Sequence, residues 1–107
     1  MNVISNNSIK CNMALQSLYN VMDPEIGLNV VDLGLIYRID FDEKEKKIIC
    51  EMTLTSQFCP MGESISGGVT NALKSAFPDY EALVELTFDP PWSYERISEE
   101  GRLFLNG

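Results

Sequence analysis

Two stretches of alternating hydrophobicity, separated only by a charged turn, constrain this chain more than any other feature. From Leu35 to Asp42, the residues Leu35, Tyr37, Ile39 and Phe41 share one face, while Arg38, Asp40 and Asp42 share the other with Ile36. A repeat of two is the signature of a half-buried strand. After the charged run Asp42 to Lys47, the alternation resumes. Ile48, Cys50, Met52 and Leu54 fall on one face, and Glu51, Thr53 and Thr55 lie opposite beside Ile49. Two such runs joined by a short polar turn predict an antiparallel hairpin, whose apolar face must be covered by something else in the chain.

Helical periodicity supplies the cover. Cys11, Ala14, Leu15, Leu18 and Met22 recur at one-face spacing over about Ile9 to Met22, with Asn7 or Ser8 as the cap. Pro24 disfavours helical dihedrals at Asp23, which places the end there. Ile65, Val69, Ala72, Leu73, Ala76 and Phe77 repeat the pattern after Gly62, closed by Pro78, although Gly67 and Gly68 weaken that helix. A third strand is expected over about Leu83 to Phe88, with Val84, Leu86 and Phe88 against Glu85 and Thr87, ended by Asp89-Pro90-Pro91. In the tail, Ser98-Glu99-Glu100 suits a helix start and leads to an apolar patch at Leu103, Phe104 and Leu105, with Gly101 arguing against a long helix. The order α-β-β-α-β with a short helical tail describes an α+β fold, a two-layer α/β sandwich, and leaves strand order open.

Composition narrows the function classes. With 107 residues and 45% hydrophobic content, residues 1–107 are expected to form one domain with one core. No apolar run approaches the roughly 18 residues that span a bilayer, and the start lacks a secretory pattern, so the expectation is a cytoplasmic protein that avoids membranes. Sixteen acidic residues against eight basic ones disfavour nucleic acid as a partner. The chain has no histidine, which removes Cys-His and Ser-His catalysis and the commonest nitrogen ligand for metals. Three cysteines without CxxC spacing fit reduced thiols better than a disulfide framework.

Among these thiols, Cys50 and Cys11 lie on apolar faces and read as core residues. Cys59 lies between the second strand and the second helix, in Thr55-Ser56-Gln57-Phe58-Cys59-Pro60-Met61-Gly62. Unpaired N-H groups and the positive end of a helix dipole near such a sulfur favour the thiolate. On position alone, a gap-filling cysteine is an equal alternative. Asp23-Pro24-Glu25 sets two carboxylates around a rigid residue, as metal ligands or proton acceptors, or simply as a solvated turn. Thr55 and Ser56 are candidates to contact a ligand near Cys59, or to finish the strand and cap the helix. Val31-Asp32-Leu33-Gly34 suits a tight turn. Gly62, Gly67 and Gly68 lack the lysine of a phosphate loop and the spacing of a dinucleotide fingerprint, which excludes nucleotide as a cofactor. Asp89-Pro90-Pro91-Trp92 offers either a rigid aromatic docking surface or a tryptophan tucked into the core.

Together, Asp23-Pro24-Glu25-Ile26, Val31-Asp32-Leu33-Gly34-Leu35-Ile36-Tyr37, Thr53-Leu54-Thr55-Ser56-Gln57-Phe58-Cys59-Pro60, Asp89-Pro90-Pro91-Trp92 and Ile97-Ser98-Glu99-Glu100-Gly101-Arg102 resemble the successive signatures of the SufT/PaaD-like family. The resemblance implies a fold related to NifU C-terminal domains and a role in iron-sulfur cluster assembly or targeting. It places the family's reactive cysteine at Cys59, with Asp23, Glu25, Thr55 and Ser56 around it. It also implies cluster carriers or scaffolds and apo-client proteins as partners, and iron or an iron-sulfur cluster held transiently by Cys59. NifU-type domains hold a cluster through a CxxC pair, whereas this chain offers Cys59 alone, and one thiolate does not complete a cluster site. An adaptor is therefore expected, or a homodimer that brings two Cys59 thiols together. Two alternatives remain: an enzyme with Cys59 as nucleophile and Asp23 or Glu25 as acid-base partner, and a PaaD-like accessory subunit of an aromatic-thioester oxygenase.

Overall fold

A computed structural model of the protein describes residues 3–55 and 62–106. The expected hairpin is its centre. Strand β4 (Ile36–Asp42) pairs antiparallel with β5 (Lys47–Met52), with Asp42 opposite Lys47. Asp42 builds the turn between them, its Oδ1 accepting the N-H groups of Lys44 and Glu45 at 3.1 and 3.0 Å. Along β5, Ile48, Cys50 and Met52 are buried and their neighbours are not, as the alternation predicts. On β4 the pairing slips between Ile36 and Arg38. Such an irregularity inserts one extra residue and bends the strand. Ile36 and Tyr37 are consequently both buried, whereas strict alternation placed Ile36 on the polar face.

Helix α1 (Ser8–Leu18) begins at Asn7, whose side chain accepts the Lys10 N-H at 3.0 Å. This bond satisfies a donor that the first turn cannot pair internally. Cys11, Ala14 and Leu18 face the core. The helix stops four residues before the expected Met22. Val21 N-H closes on Leu18 O at 3.0 Å, and Val30 N-H reaches Val21 O at 3.0 Å. Met22–Asp23 and Leu28–Asn29 then pair as the short antiparallel strands β2 and β3. Bonding to residues 28–30 competes with the helix for these backbone groups, and Met22 is left exposed.

Helix α2 (Gly62–Ala76) buries Ile65, Val69 and Leu73. Gly68 suits its place, because a Cβ there would stand 3.1 Å from Val21 Cγ1. The glycine admits the chain leaving α1 close to α2. Strand β6 (Glu81–Leu86) runs parallel to β5. It begins two residues earlier than expected because Glu81 N-H bonds to Lys46 O at 2.8 Å. A short strand β1 (Ile4–Ser5), too brief to show periodicity, pairs parallel with β4. The main sheet has the order β1-β4-β5-β6. Its apolar face and both helices enclose one core, giving the mixed α/β, two-layer arrangement expected. Helix α3 (Glu99–Asn106) closes the chain and buries only Gly101. A Cβ on Gly101 would approach Ile97 Cγ2 to 2.8 Å and Leu28 Cδ2 to 3.0 Å.

Candidate functional site

Cys59 and Ser56 lie outside the described residues, and the structure defines what frames them. Before them, Thr53 is fully buried and its N-H bonds to Leu35 O at 2.8 Å, which fixes the exit of β5 to the segment entering β4. Thr55 follows, half-buried. After them, Gly62 begins α2 so close to Leu54 that a Cβ would stand 2.8 Å from Leu54 Cδ1. The candidate loop thus leaves and rejoins the fold at two packed points.

Residues 29–37, to which Thr53 is tied through Leu35, lead into β4, and the polar side chains of Asn29, Asp32 and Tyr37 are all hydrogen-bonded. Asn29 Oδ1 accepts the Asp32 N-H at 2.8 Å, and Asn29 Nδ2 donates to Asp32 Oδ2 at 2.7 Å. Leu35 N-H bonds to Val30 O at 3.1 Å, and Gly34 takes a φ of 76°, which glycine adopts without the Cβ penalty of other residues. This confirms a tight turn at Val31-Asp32-Leu33-Gly34.

The C-terminal segment clamps that turn from outside. Trp92 Nε1 donates to Leu33 O at 2.6 Å, and Arg96 Nε donates to Gly34 O at 3.1 Å. The Arg96 guanidinium lies 4.1 Å from the centre of the Tyr37 ring, and Tyr37 OH donates to Pro90 O at 2.7 Å. Ser98 N-H donates to Asp32 O at 2.7 Å, its Oγ donates to Asp32 Oδ1 at 2.7 Å, and the same Oγ accepts the Gly101 N-H at 3.0 Å. Trp92 is therefore packed half-buried against the core, which favours the second of the two readings of Asp89-Pro90-Pro91-Trp92. Asn29 and Arg96 were not singled out from the sequence, and Ser98 was read only as a helix start, which its bond to the Gly101 N-H bears out. Arg96 and Ser98 reach residues 59 to 66 positions away, which no local pattern announces, whereas Asn29 bonds to Asp32 three positions on.

Asp23 and Glu25 have different surroundings. Asp23 is 2% exposed, and its Oδ1 accepts the N-H groups of Glu25 at 2.9 Å and Ile26 at 3.3 Å. Gly27 N-H returns to Asp23 O at 2.7 Å. One carboxylate oxygen of Asp23 therefore builds the turn between β2 and β3, while Glu25 is exposed on it.

The thiols in the described part are sequestered. Cys11 and Cys50 are both buried. Burial pushes the Cys50 thiol up to about 12 and raises that of Cys11, since a charged thiolate is poorly solvated there. Among the described residues, no group of three or more Cys, Asp or Glu side chains is placed to hold a metal ion. No helix among them is long and apolar enough to cross a membrane.

A small mixed α/β protein, with a four-stranded sheet, helices on one face and a turn at residues 31–34 clamped by its C-terminal segment, is the class that the fold defines. Residues 12–85 match the model of the iron-sulfur cluster assembly protein family, and the chain belongs to that family. It is 35% identical over 85 residues to the Fe-S protein maturation auxiliary factor SufT of Staphylococcus aureus, covering 79% of this chain and 96% of that protein. It is 36% identical to the Fe-S protein maturation auxiliary factor YitW of Bacillus subtilis, covering 83% of this chain and 86% of that protein. Among solved structures it resembles a DUF59 domain of unknown function from Bacillus anthracis, with TM-score 0.85, 34% identity and coverage of 94% and 98% of the two chains.

Proposed function

We propose that this protein is an auxiliary factor in the maturation of iron-sulfur proteins, and that Cys59 is the thiol through which it acts. Family membership supports the role. The observation that carries the assignment to Cys59 is the burial of the other two thiols. Cys50, at about 12, and Cys11, raised by the same burial, hold little thiolate at neutral pH, and thiolate is the form that attacks or ligates. Cys59 stands three residues before the start of α2, where a helix N-terminus favours negative charge.

The cluster, or iron on its way into one, is cargo in this reading. One thiolate leaves most cluster positions to be filled by others. A carrier protein, an apo-client or a second copy supplies them, and transfer occurs at that shared interface. Thr55 and Ser56 flank the thiol as candidate hydrogen-bond donors. Asp23 serves by shaping the β2-β3 turn, a role better supported by its bonds to Glu25 and Ile26 than acid-base chemistry. Clients and carriers in the cytoplasm are the proposed partners.

Anaerobic reconstitution with iron and sulfide tests whether the thiol carries cargo. Wild type and Cys59→Ser are compared by visible absorption, iron content and oligomer size. Uptake that depends on Cys59 and accompanies dimer formation supports cluster sharing between copies. Equal uptake by the Ser variant refutes Cys59 as the ligand.

A further inference from the structure

The sheet has two edges, and the chain treats them differently. At the β4 edge, β1 pairs through Ile4 and Ser5. Asn6 closes the next position with its side chain, donating from Nδ2 to Phe41 O and accepting the Phe41 N-H on Oδ1, both at 2.9 Å. At the other edge, β6 has a neighbour on one side only among the described residues. Glu81 and Thr87 donate their N-H groups to Lys46 O and Met52 O at 2.8 and 2.9 Å. Backbone groups of successive strand residues point to opposite sides, so Ala82, Val84 and Leu86 turn theirs away from β5. The six-residue strand contains no proline, and its Leu83 and Leu86 are 38% and 46% exposed. An edge of this kind is a template for a further strand.

The flanking side chains decide which strand fits. On the uncovered face, Glu81 lies beside Lys47, Leu83 beside Ile49 and Glu85 beside Glu51. The edge therefore reads acid, apolar, acid, with a second acid behind Glu85. A second copy fits this pattern poorly. Antiparallel self-pairing centred on Leu83 would set Glu81 of each copy against Glu85 of the other, and like charges directly opposite destabilise a sheet. Each copy also brings a net charge of -8.

We propose that the β6 edge docks an extended segment of a partner protein with the pattern basic-x-apolar-x-basic, added as a fifth strand of the main sheet. Its apolar side chain seats beside Leu83, and its basic side chains meet Glu81 and Glu85. The two intervening residues lie on the α2 side next to Ala82 and Val84, where β-branched side chains pack well. Main-chain bonds to Ala82, Val84 and Leu86 give affinity, and the alternating side chains give selectivity. The pattern reads the same in either strand direction. The proposal uses no property of Cys59 and does not depend on the maturation reading.

Two capped peptides, one containing Lys-Val-Ile-Val-Lys and one containing Glu-Val-Ile-Val-Glu, are titrated against the full chain by fluorescence anisotropy. Wild type is expected to prefer the lysine peptide by roughly tenfold, from two cross-strand charge pairs. The double variant Glu81→Lys with Glu85→Lys should invert that preference, and Cys59→Ser should leave it unchanged. Val84→Pro removes one outward N-H and should weaken both peptides while circular dichroism stays native; should that variant not fold, the charge-reversed one decides. Failure of wild type to bind the lysine peptide, equal binding of both peptides, or a preference that survives charge reversal overturns the proposal. A wild-type dimer in sedimentation that dissociates with Val84→Pro assigns the edge to a second copy and overturns the choice of partner.

Discussion

At the residue scale, the informative contrast is among three cysteines of one chain. Position in an alternating strand or on an apolar helical stripe marked Cys50 and Cys11 as core residues, and both are buried. Their chemistry follows from that burial. The Cys50 thiol ionises at about 12 in the folded chain but near its ordinary 9.0 when unfolded. Its contribution to stability is therefore complete below pH 9 and is lost as the pH rises toward 12, because the unfolded state releases the proton first. Denaturant unfolding between pH 8 and 11 should show wild type losing up to roughly 1 kcal/mol per pH unit above 9, with a visibly shallower loss for Cys50→Ala. Equal slopes in the two proteins would show that Cys50 is not held as a thiol. In wild type, a disulfide reagent at pH 8 should modify Cys59 quickly and Cys50 only after unfolding.

At the scale of elements, the sequence was most legible where a period could repeat. The β4-β5 hairpin, α2 and the buried face of β5 follow directly from spacing. The end of α1 does not, because backbone bonds between Val21 and Val30 and the β2-β3 pairing override a continuing helical stripe. Strands of two residues carry no period at all, and β1, β2 and β3 were invisible for that reason. The clamp on residues 29–37 was legible only in part. Gly34 announced a turn, but nothing nearby in sequence announced Arg96, whose carbonyl oxygen would stand 2.3 Å from a Cβ at Gly34. Gly27 makes the comparison clean, since it has a similar φ of 80° and nothing within 4 Å of its Cβ position. Gly27→Ala should cost about 1 kcal/mol of stability from the left-handed backbone alone. Gly34→Ala should cost about 1 to 3 kcal/mol more, because residues 94–97 must move away. Equal losses in denaturant unfolding would mean that the C-terminal segment does not press on the turn as described.

At the scale of the whole molecule, two of the family motifs, Val31–Tyr37 and Asp89–Trp92, are held together with residues 96–98. Asp23 shapes the β2-β3 turn, Asp32 and Gly34 form the turn before β4, and Trp92, Arg96 and Ser98 hold that turn in place. The segment carrying Cys59 leaves from Thr55 and returns at Gly62 beside this framework, with Thr53 tied to Leu35. The identity of the motifs could be read from the sequence, but the clamping of the Val31–Gly34 turn by Trp92 and Ser98 could not, because it depends on contacts between residues more than fifty positions apart. The two sequestered thiols, Cys11 and Cys50, are buried within the same core.

The most direct test of the proposed role is client maturation in cells that depend on this protein. Wild type, Cys59→Ser and Cys50→Ser would be expressed at matched levels, and the activity and cluster content of an iron-sulfur enzyme measured against its total protein. Cys59→Ser is expected to leave client protein abundant but poor in cluster, with Cys50→Ser close to wild type once its folding is verified by thermal unfolding. Full client activity with a folded Cys59→Ser protein would contradict the central claim that Cys59 is the working thiol.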